Sequence, residues 1–230
     1  MEFEKIEKKT LRQKVYEQLK EKMTTAEILP GEQISLRELA KRLDVSLMPV
    51  REALWQLESE KVVVIESNRK MWVNSLAPGD VGVITNIRVM LESMAGKMAC
   101  DLRPESSLAE VEALLSDLRK YVGAREVYLK HNWKFHFMIY NLSRSPILVD
   151  LIMGLWARIG PYLYLVTRQR SDIIYAMRAH EAMYKALADR DKEGMAKAIE
   201  DDLGTAAGII ENFIKTREAE KLEPQLSGTK

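Results

Sequence analysis

Apolar positions recur at helical spacing along most of the chain and give way to short β-branched runs in one region. From Thr10 to Ile28, Leu11, Val15, Leu19 and Met23 share one face, and Thr10 with Gln13 has the form of a capping box, so a first helix is predicted there. Pro30 and Gly31 then turn the chain. Ser35 to Leu57 reads as two short amphipathic helices around a tight turn, with Leu36, Leu39, Leu43, Val50, Leu54 and Leu57 facing inward. Ser35 and Glu38 form a second capping box. Ser46 is placed to cap the second helix, and Pro49 falls in its first turn, where it removes no intrahelical donor. Val62 to Ile65 and Met71 to Val73 are candidate strands across the loop Ser67 to Lys70.

Beyond Ser75 to Asp80, a stretch punctuated by Pro78 and Gly79, the pattern holds no convincing strand. Helices are predicted over Asp80 to Asp101, Ser107 to Val122, Ala124 to Leu142, Pro146 to Arg168 with a kink, Asp172 to Arg190, and Lys192 to Arg217. The expected organisation is mostly α. A domain over 1–75 carries a small β-hairpin, 76–79 is a linker, 80–217 is an all-α antiparallel helical bundle, and 218–230 is a flexible tail.

Composition adjusts this picture little. A chain of 230 residues with 47% hydrophobic residues can bury real cores, and its single cysteine, Cys100, excludes an internal disulfide framework. With no secretory apolar run at the start, a reducing cytoplasm is expected. The most apolar segment, Pro146 to Val166, contains Asp150, Arg158 and Pro161, which fits a kinked core helix better than a membrane span. A formal net charge of +1 means that any contact with nucleic acid must come from local placement of basic groups.

Such placement exists between Ser35 and Leu57. Small Ala40 sits where two helices cross, Asp44 at the turn, and Val50 where the second helix packs back, which is the spacing of a helix-turn-helix. Arg37, Lys41, Arg42, Ser46, Leu47, Met48 and Arg51 are left for a groove of double-stranded DNA, and Asn68, Arg69 and Lys70 at the hairpin tip form a wing that reaches a phosphate or the minor groove. The words Pro30-Gly31-Glu32 and Pro49-Val50-Arg51-Glu52-Ala53-Leu54 make residues 10 to 75 resemble the winged helix-turn-helix domain of the GntR family of bacterial transcription regulators. Two positions depart from the family habit: Leu47 stands where Arg is common, and Lys70 where the wing often has Gly.

In the second domain, Asn132 and His136 share a helix face, and Asn132-Trp133-Lys134-Phe135-His136 resembles the Asp-x-x-Phe-His motif of the FCD subgroup of that family. The resemblance implies a metal set falling on Asn132, His136, His180 and Asp202, with an amide replacing a carboxylate and a carboxylate replacing an imidazole. A site for zinc, nickel or manganese is expected to be weakened by that exchange. His136 and His180 are otherwise hydrogen-bonded pocket residues. Arg88 and Glu92 match the subgroup's Arg-x-x-x-Glu pattern. Arg88 suits an effector's carboxylate bidentately, or else forms an ion pair with Glu92. Arg158, Tyr162, Tyr164 and Arg168 are further candidates for pocket lining. The resemblance therefore implies a homodimeric repressor, neither an enzyme nor a membrane protein, whose operator binding is controlled by a small carboxylic acid at Arg88, Glu92, Asn132, His136 and His180. The competing readings are a metal-dependent enzyme with Glu92 as base, and an architectural DNA binder that senses nothing.

Overall fold

The computed structural model describes residues 10–67, 70–77 and 79–226. In order these form α1 (Leu11–Thr24), β1 (Gln33–Ile34), α2 (Leu36–Arg42), α3 (Leu47–Ser59), β2 (Val63–Ile65) and β3 (Met71–Val73). There follow α4 (Asp80–Leu102), α5 (Ser107–Lys120), α6 (Arg125–Asn141) and α7 (Pro146–Ile159). A 3-10 turn (Gly160–Tyr162), α8 (Leu163–Val166), α9 (Arg170–Asp189) and α10 (Lys192–Leu226) complete the chain.

The N-terminal unit is a winged helix-turn-helix. Thr10 accepts from the Gln13 amide at 3.2 Å and Ser35 from the Glu38 amide at 3.3 Å, so both predicted starts are capped. Ser46 occupies the cap position of α3 yet makes no side-chain capping bond. Proline explains the difference: Pro49 is the third helical residue, whose amide a capping serine would take, and it has none to give. Asp44 turns the chain between α2 and α3 at φ 51°, a conformation a short polar side chain tolerates, while the Val45 amide donates to Ala40 O at 3.0 Å. The wing strands pair antiparallel with Val64 opposite Trp72. A short strand that the periodicity did not show, β1, adds to the other edge of β3 with Gln33 opposite Trp72, giving the order β1-β3-β2. Val15, Leu19, Met23, Val50, Leu54, Leu57, Val63 and Val73 fill the core beneath, with Leu36, Leu39 and Leu43 at its margin.

The second unit is a helical bundle in which α4 packs on α6, α7, α9 and α10. Gly96 marks the close passage of α4 and α10, since a Cβ there would lie 2.7 Å from Met195 Cγ and 2.8 Å from Ile199 Cδ1. Two arginines exchange helix ends. Arg103 donates to the Leu187 and Ala188 carbonyls at 2.8 and 2.9 Å, and Arg190 to the Cys100 and Asp101 carbonyls at 2.9 and 3.1 Å. These bonds satisfy orphan C-terminal carbonyls of α9 and α4 and lock the two helices together. Pro146–Val166 has the length and hydropathy of a membrane span, but half of it is buried, and Pro161 breaks it into α7, the 3-10 turn and α8. The last helix runs to Leu226, past the Arg217 at which the periodicity predicts its end.

The two units touch along α1, which lies against α7 and the 3-10 turn. A Cβ on Gly160 would stand 2.5 Å from Thr24 Cα, so only glycine permits this approach. Ala157 of α7 is buried in the N-terminal core, and Leu76 of the connecting segment is buried in the helical core, its amide donating to the Tyr162 hydroxyl at 2.7 Å.

Candidate DNA interface and buried histidine site

At the start of α3, Leu47 and Met48 are 41% and 54% exposed, Ser46 is exposed and Arg51 half-buried. Arg37 is exposed on α2 with no ion pair among the described residues. Arg42, also exposed, is held by Glu38 at 2.6 Å across one helical turn. These side chains form one polar and apolar surface around an uncapped helix N-terminus, where free amides favour phosphate. In the wing, Lys70 is exposed and its carbonyl accepts from the Glu66 amide at 2.9 Å; Asn68 and Arg69 lie outside the described residues. Trp55, half-exposed two turns beyond Leu47 on α3, was missed by sequence reading because a tryptophan at helical spacing reads as core.

The helical unit buries a continuous polar network. Arg88 Nε donates to Glu92 Oε1 at 2.7 Å across one turn of α4, with its guanidinium 4.6 Å from the centroid of the Trp156 ring. Trp156 Nε1 donates to the same oxygen at 3.0 Å, and the Tyr140 hydroxyl donates to Glu92 Oε2. Three protein donors thus occupy the Glu92 carboxylate, which pairs with Arg88 in the manner of the ion-pair alternative. Tyr140 and Trp156 were absent from the sequence-based site; the i, i+4 spacing of His136 and Tyr140 is the signal that was available.

Tyr140 passes the network on to His136, whose Nδ1 lies 3.0 Å from the hydroxyl. Because the phenol proton goes to Glu92, the assignment that satisfies the network puts a proton on His136 Nδ1 and leaves Nε2 as a lone pair. That lone pair faces His180 Nε2 at 3.1 Å and Asp202 Oδ2 at 3.5 Å, and His180 Nε2 is 3.6 Å from Asp202 Oδ1. Ligands held about 2.0–2.1 Å from a tetrahedral ion stand roughly 3.3–3.4 Å apart, so the spacing and the donor types fit a divalent metal. His136, His180 and Asp202 can hold one. Asn132 sits one turn before His136, half-buried. The protonation states follow from burial. It pushes His136 well below the ordinary imidazole range, reinforced by His180 and Arg88. It takes His180 down to about 3, and raises the Asp202 carboxyl to about 7 against the pull of Arg88. His180 Nδ1 is buried without a hydrogen-bond partner.

Comparison with known proteins agrees with both halves. The pattern of the bacterial regulatory proteins of the gntR family matches residues 11–73, and that of the FCD domain matches residues 83–205. The HTH-type transcriptional regulator McbR of Escherichia coli (strain K12) is 30% identical over 195 residues, 83% of this chain and 88% of the relative. The gluconate operon transcriptional repressor of Bacillus licheniformis is 24% identical over 85% of this chain and 83% of its own length. The solved structure of E. coli McbR/YncC superposes with a TM-score of 0.83 at 28% identity, covering 88% of this chain and 98% of that one. The chain therefore belongs to the GntR family, with an FCD domain behind its winged helix-turn-helix, and is a DNA-binding transcription regulator.

Proposed function

We propose that the protein is a homodimeric cytoplasmic repressor that releases its operator when a small carboxylic acid binds at the histidine site. The observation that carries this reading is the buried network itself. Placing Arg88, Glu92, His136, His180 and Asp202 inside an apolar bundle costs free energy that hydrophobic side chains of the same size would not, so a core built for stability alone has no use for it. Arg88 supplies charge for an acid, and a divalent ion on His136, His180 and Asp202, with Asn132 nearby on α6, supplies a second anchor. In this reading residues 1–75 bind DNA, 76–79 link the units, and 80–217 bind effector and dimerise.

An enzyme is disfavoured on the same geometry. Glu92, the available base, already accepts two hydrogen bonds on Oε1 and one on Oε2, so a substrate would have to compete with this network for its proton acceptor. On the DNA side, Arg37, Ser46, Leu47, Met48 and Arg51 read bases, while Arg42, Lys70 and, outside the described residues, Asn68 and Arg69 contact backbone. Dimerisation is supported by an exposed apolar stripe of Val83, Ile87, Met90 and Met94 on α4, beside Ile147 and Leu151 on α7.

The test is fluorescence anisotropy of DNA from the chain's own upstream region, with and without zinc and a panel of organic acids. A salt-sensitive complex that one acid weakens is expected. Salt-insensitive binding, or no response to any acid with metal present, would contradict the reading.

A further inference from the structure

Between the two units lies a cleft of about 930 Å³, bounded by α1 on one side and by α4, α6 and α7 on the other. None of the histidine-site residues lines it. Its walls are largely apolar, with Leu91, Leu151, Met153 and Leu155, and two donors set into them have no acceptor: Trp133 Nε1 and Arg158 Nε are buried and unpartnered. Arg158 has no ion pair among the described residues, although Asp150 borders the same cleft. Glu60 is already engaged by Tyr16 at 2.5 Å and Lys20 at 2.7 Å.

An Arg158 Nε–H buried without an acceptor beside apolar side chains is readily compensated by a ligand anion, and the unpartnered indole N–H of Trp133 lines the same cleft. Glu17, Glu21 and Asp150 also line the cleft and disfavour a ligand that carries a second negative charge. The walls call for a hydrocarbon body. Volume and interdomain position are those of ordinary small-molecule sites.

We propose that this cleft is a second ligand site, separate from the histidine cluster, for an amphipathic monocarboxylate. Its carboxylate sits at Arg158 and Trp133, and its hydrocarbon body lies on Leu91, Leu151 and Leu155. Such a ligand touches α1 of the DNA-binding unit and α7 of the helical unit together, so it fixes their relation without entering the bundle. The competing occupant is a second copy of the chain, because Ile87 and Leu151 belong both to the cleft and to the exposed apolar face.

Calorimetric titration of the full chain with octanoate, and with succinate as the dianionic control, tests the proposal. Octanoate is expected to bind saturably and succinate not. Arg158→Gln is expected to weaken octanoate by roughly tenfold or more, and Trp133→Phe, which keeps the ring and loses the donor, by less. Melting of each free variant reports its folding. His180→Gln is expected to bind octanoate as the parent does, which keeps this outcome independent of the histidine-site reading. Absence of saturable binding, equal affinity in Arg158→Gln and parent, or loss of binding in His180→Gln would overturn it. So would binding to a monomeric variant and not to the dimer, since that result gives the cleft to the second copy.

Discussion

Trp156 and Ala157 are consecutive residues of α7 that belong to different cores. The indole of Trp156 donates to Glu92 at 3.0 Å inside the histidine site, and the methyl of Ala157 is fully buried among the side chains of the DNA-binding unit. A helix moves as a rigid element, so a ligand that displaces Trp156 also displaces Ala157 against α1, and Gly160 at the end of the same helix has no slack against Thr24.

Ala157→Leu tests this relation. Extra methylenes in that contact are expected to cost about 1–3 kcal/mol in denaturant unfolding. Because the substitution touches no polar group of the site, zinc affinity is expected to stay at the parent value while the effect of ligand on operator affinity shrinks. An unchanged ligand response would show that the signal does not pass through this helix.

The Glu92 network gives two substitutions of different size. Glu92→Gln removes the negative charge that three donors surround and leaves Arg88 as an uncompensated buried cation, with an expected loss of about 3 kcal/mol in urea unfolding. Tyr140→Phe removes the hydroxyl between Glu92 and His136, with an expected loss of about 1–3 kcal/mol and roughly 10–100-fold weaker zinc binding, as the His136 tautomer is no longer fixed. Equal zinc affinity in Tyr140→Phe and parent would remove the hydroxyl from that role.

Much of this was legible in the chain, for local reasons. Helix limits from α4 to α7 fell near their predicted places because Pro104, Gly123, Pro146 and Pro161 interrupt the backbone wherever they occur. The Arg88–Glu92 pair was visible for the same reason, being one helical turn apart. The cap that failed at Ser46 was also legible, since Pro49 at the third position has no amide. What local pattern could not give is the meeting of α6, α9 and α10 at His136, His180 and Asp202. Gly96 draws α10 onto α4 and the exchange of Arg103 and Arg190 ties α9 to α4, contacts between distant parts of the chain that leave no periodic mark, and only family resemblance pointed to the three residues. β1 is similar: two residues carry no period, and it is a strand because β3 presents an edge.

The titrating groups of the site set a pH dependence whose sign can be worked out. Between about 3 and 6.5, His180 is neutral when folded and protonated when unfolded, so the unfolded chain binds more protons and stability rises with pH; His136, lowered in the same direction, adds to the rise. Between 3.8 and about 7, Asp202 is protonated when folded and ionised when unfolded, which opposes that rise and ends near 7. With two imidazoles against one carboxyl, metal-free protein is expected to gain stability up to about pH 6.5 and then to flatten. Zinc needs Asp202 ionised, so its stabilisation is expected to grow up to about pH 7 and level off above it. Melting curves with and without zinc from pH 5 to 8 measure both; zinc stabilisation independent of pH below 7 would take Asp202 out of the site.

Leu47 is exposed in the first turn of α3, at the position where the resemblance to the GntR family leads to an expectation of arginine. An apolar side chain meets the methyl of a thymine, whereas arginine takes two acceptors of a guanine, and each good base contact is worth about 1–3 kcal/mol of discrimination. Leu47→Arg is expected to move preference at one operator position toward guanine in selection from randomised DNA. An unaltered preference would show that residue 47 does not face the bases.

Met90 lies at the centre of the α4 stripe and is 73% exposed, flanked by Ile87 and Met94 at 42% and 56%. A single exposed apolar residue is unremarkable, but a row on one helix face continued by Ile147 and Leu151 on α7 is a surface that water disfavours and a second copy can cover. Met90→Lys places a charge in the middle of this surface, where a second copy would have to desolvate it without a partner, which opposes association there. The expected result is a dimeric mass by light scattering for the parent and a monomeric one for the variant, with the fold intact by circular dichroism. Operator binding provides a second reading of the same change. A dimer engages two half-sites and releases the counterions of both, so the slope of log affinity against log salt is expected to fall to roughly half in the monomer. A variant that stays dimeric, or one that becomes monomeric while keeping the full salt slope, would show that this face does not join the copies on DNA.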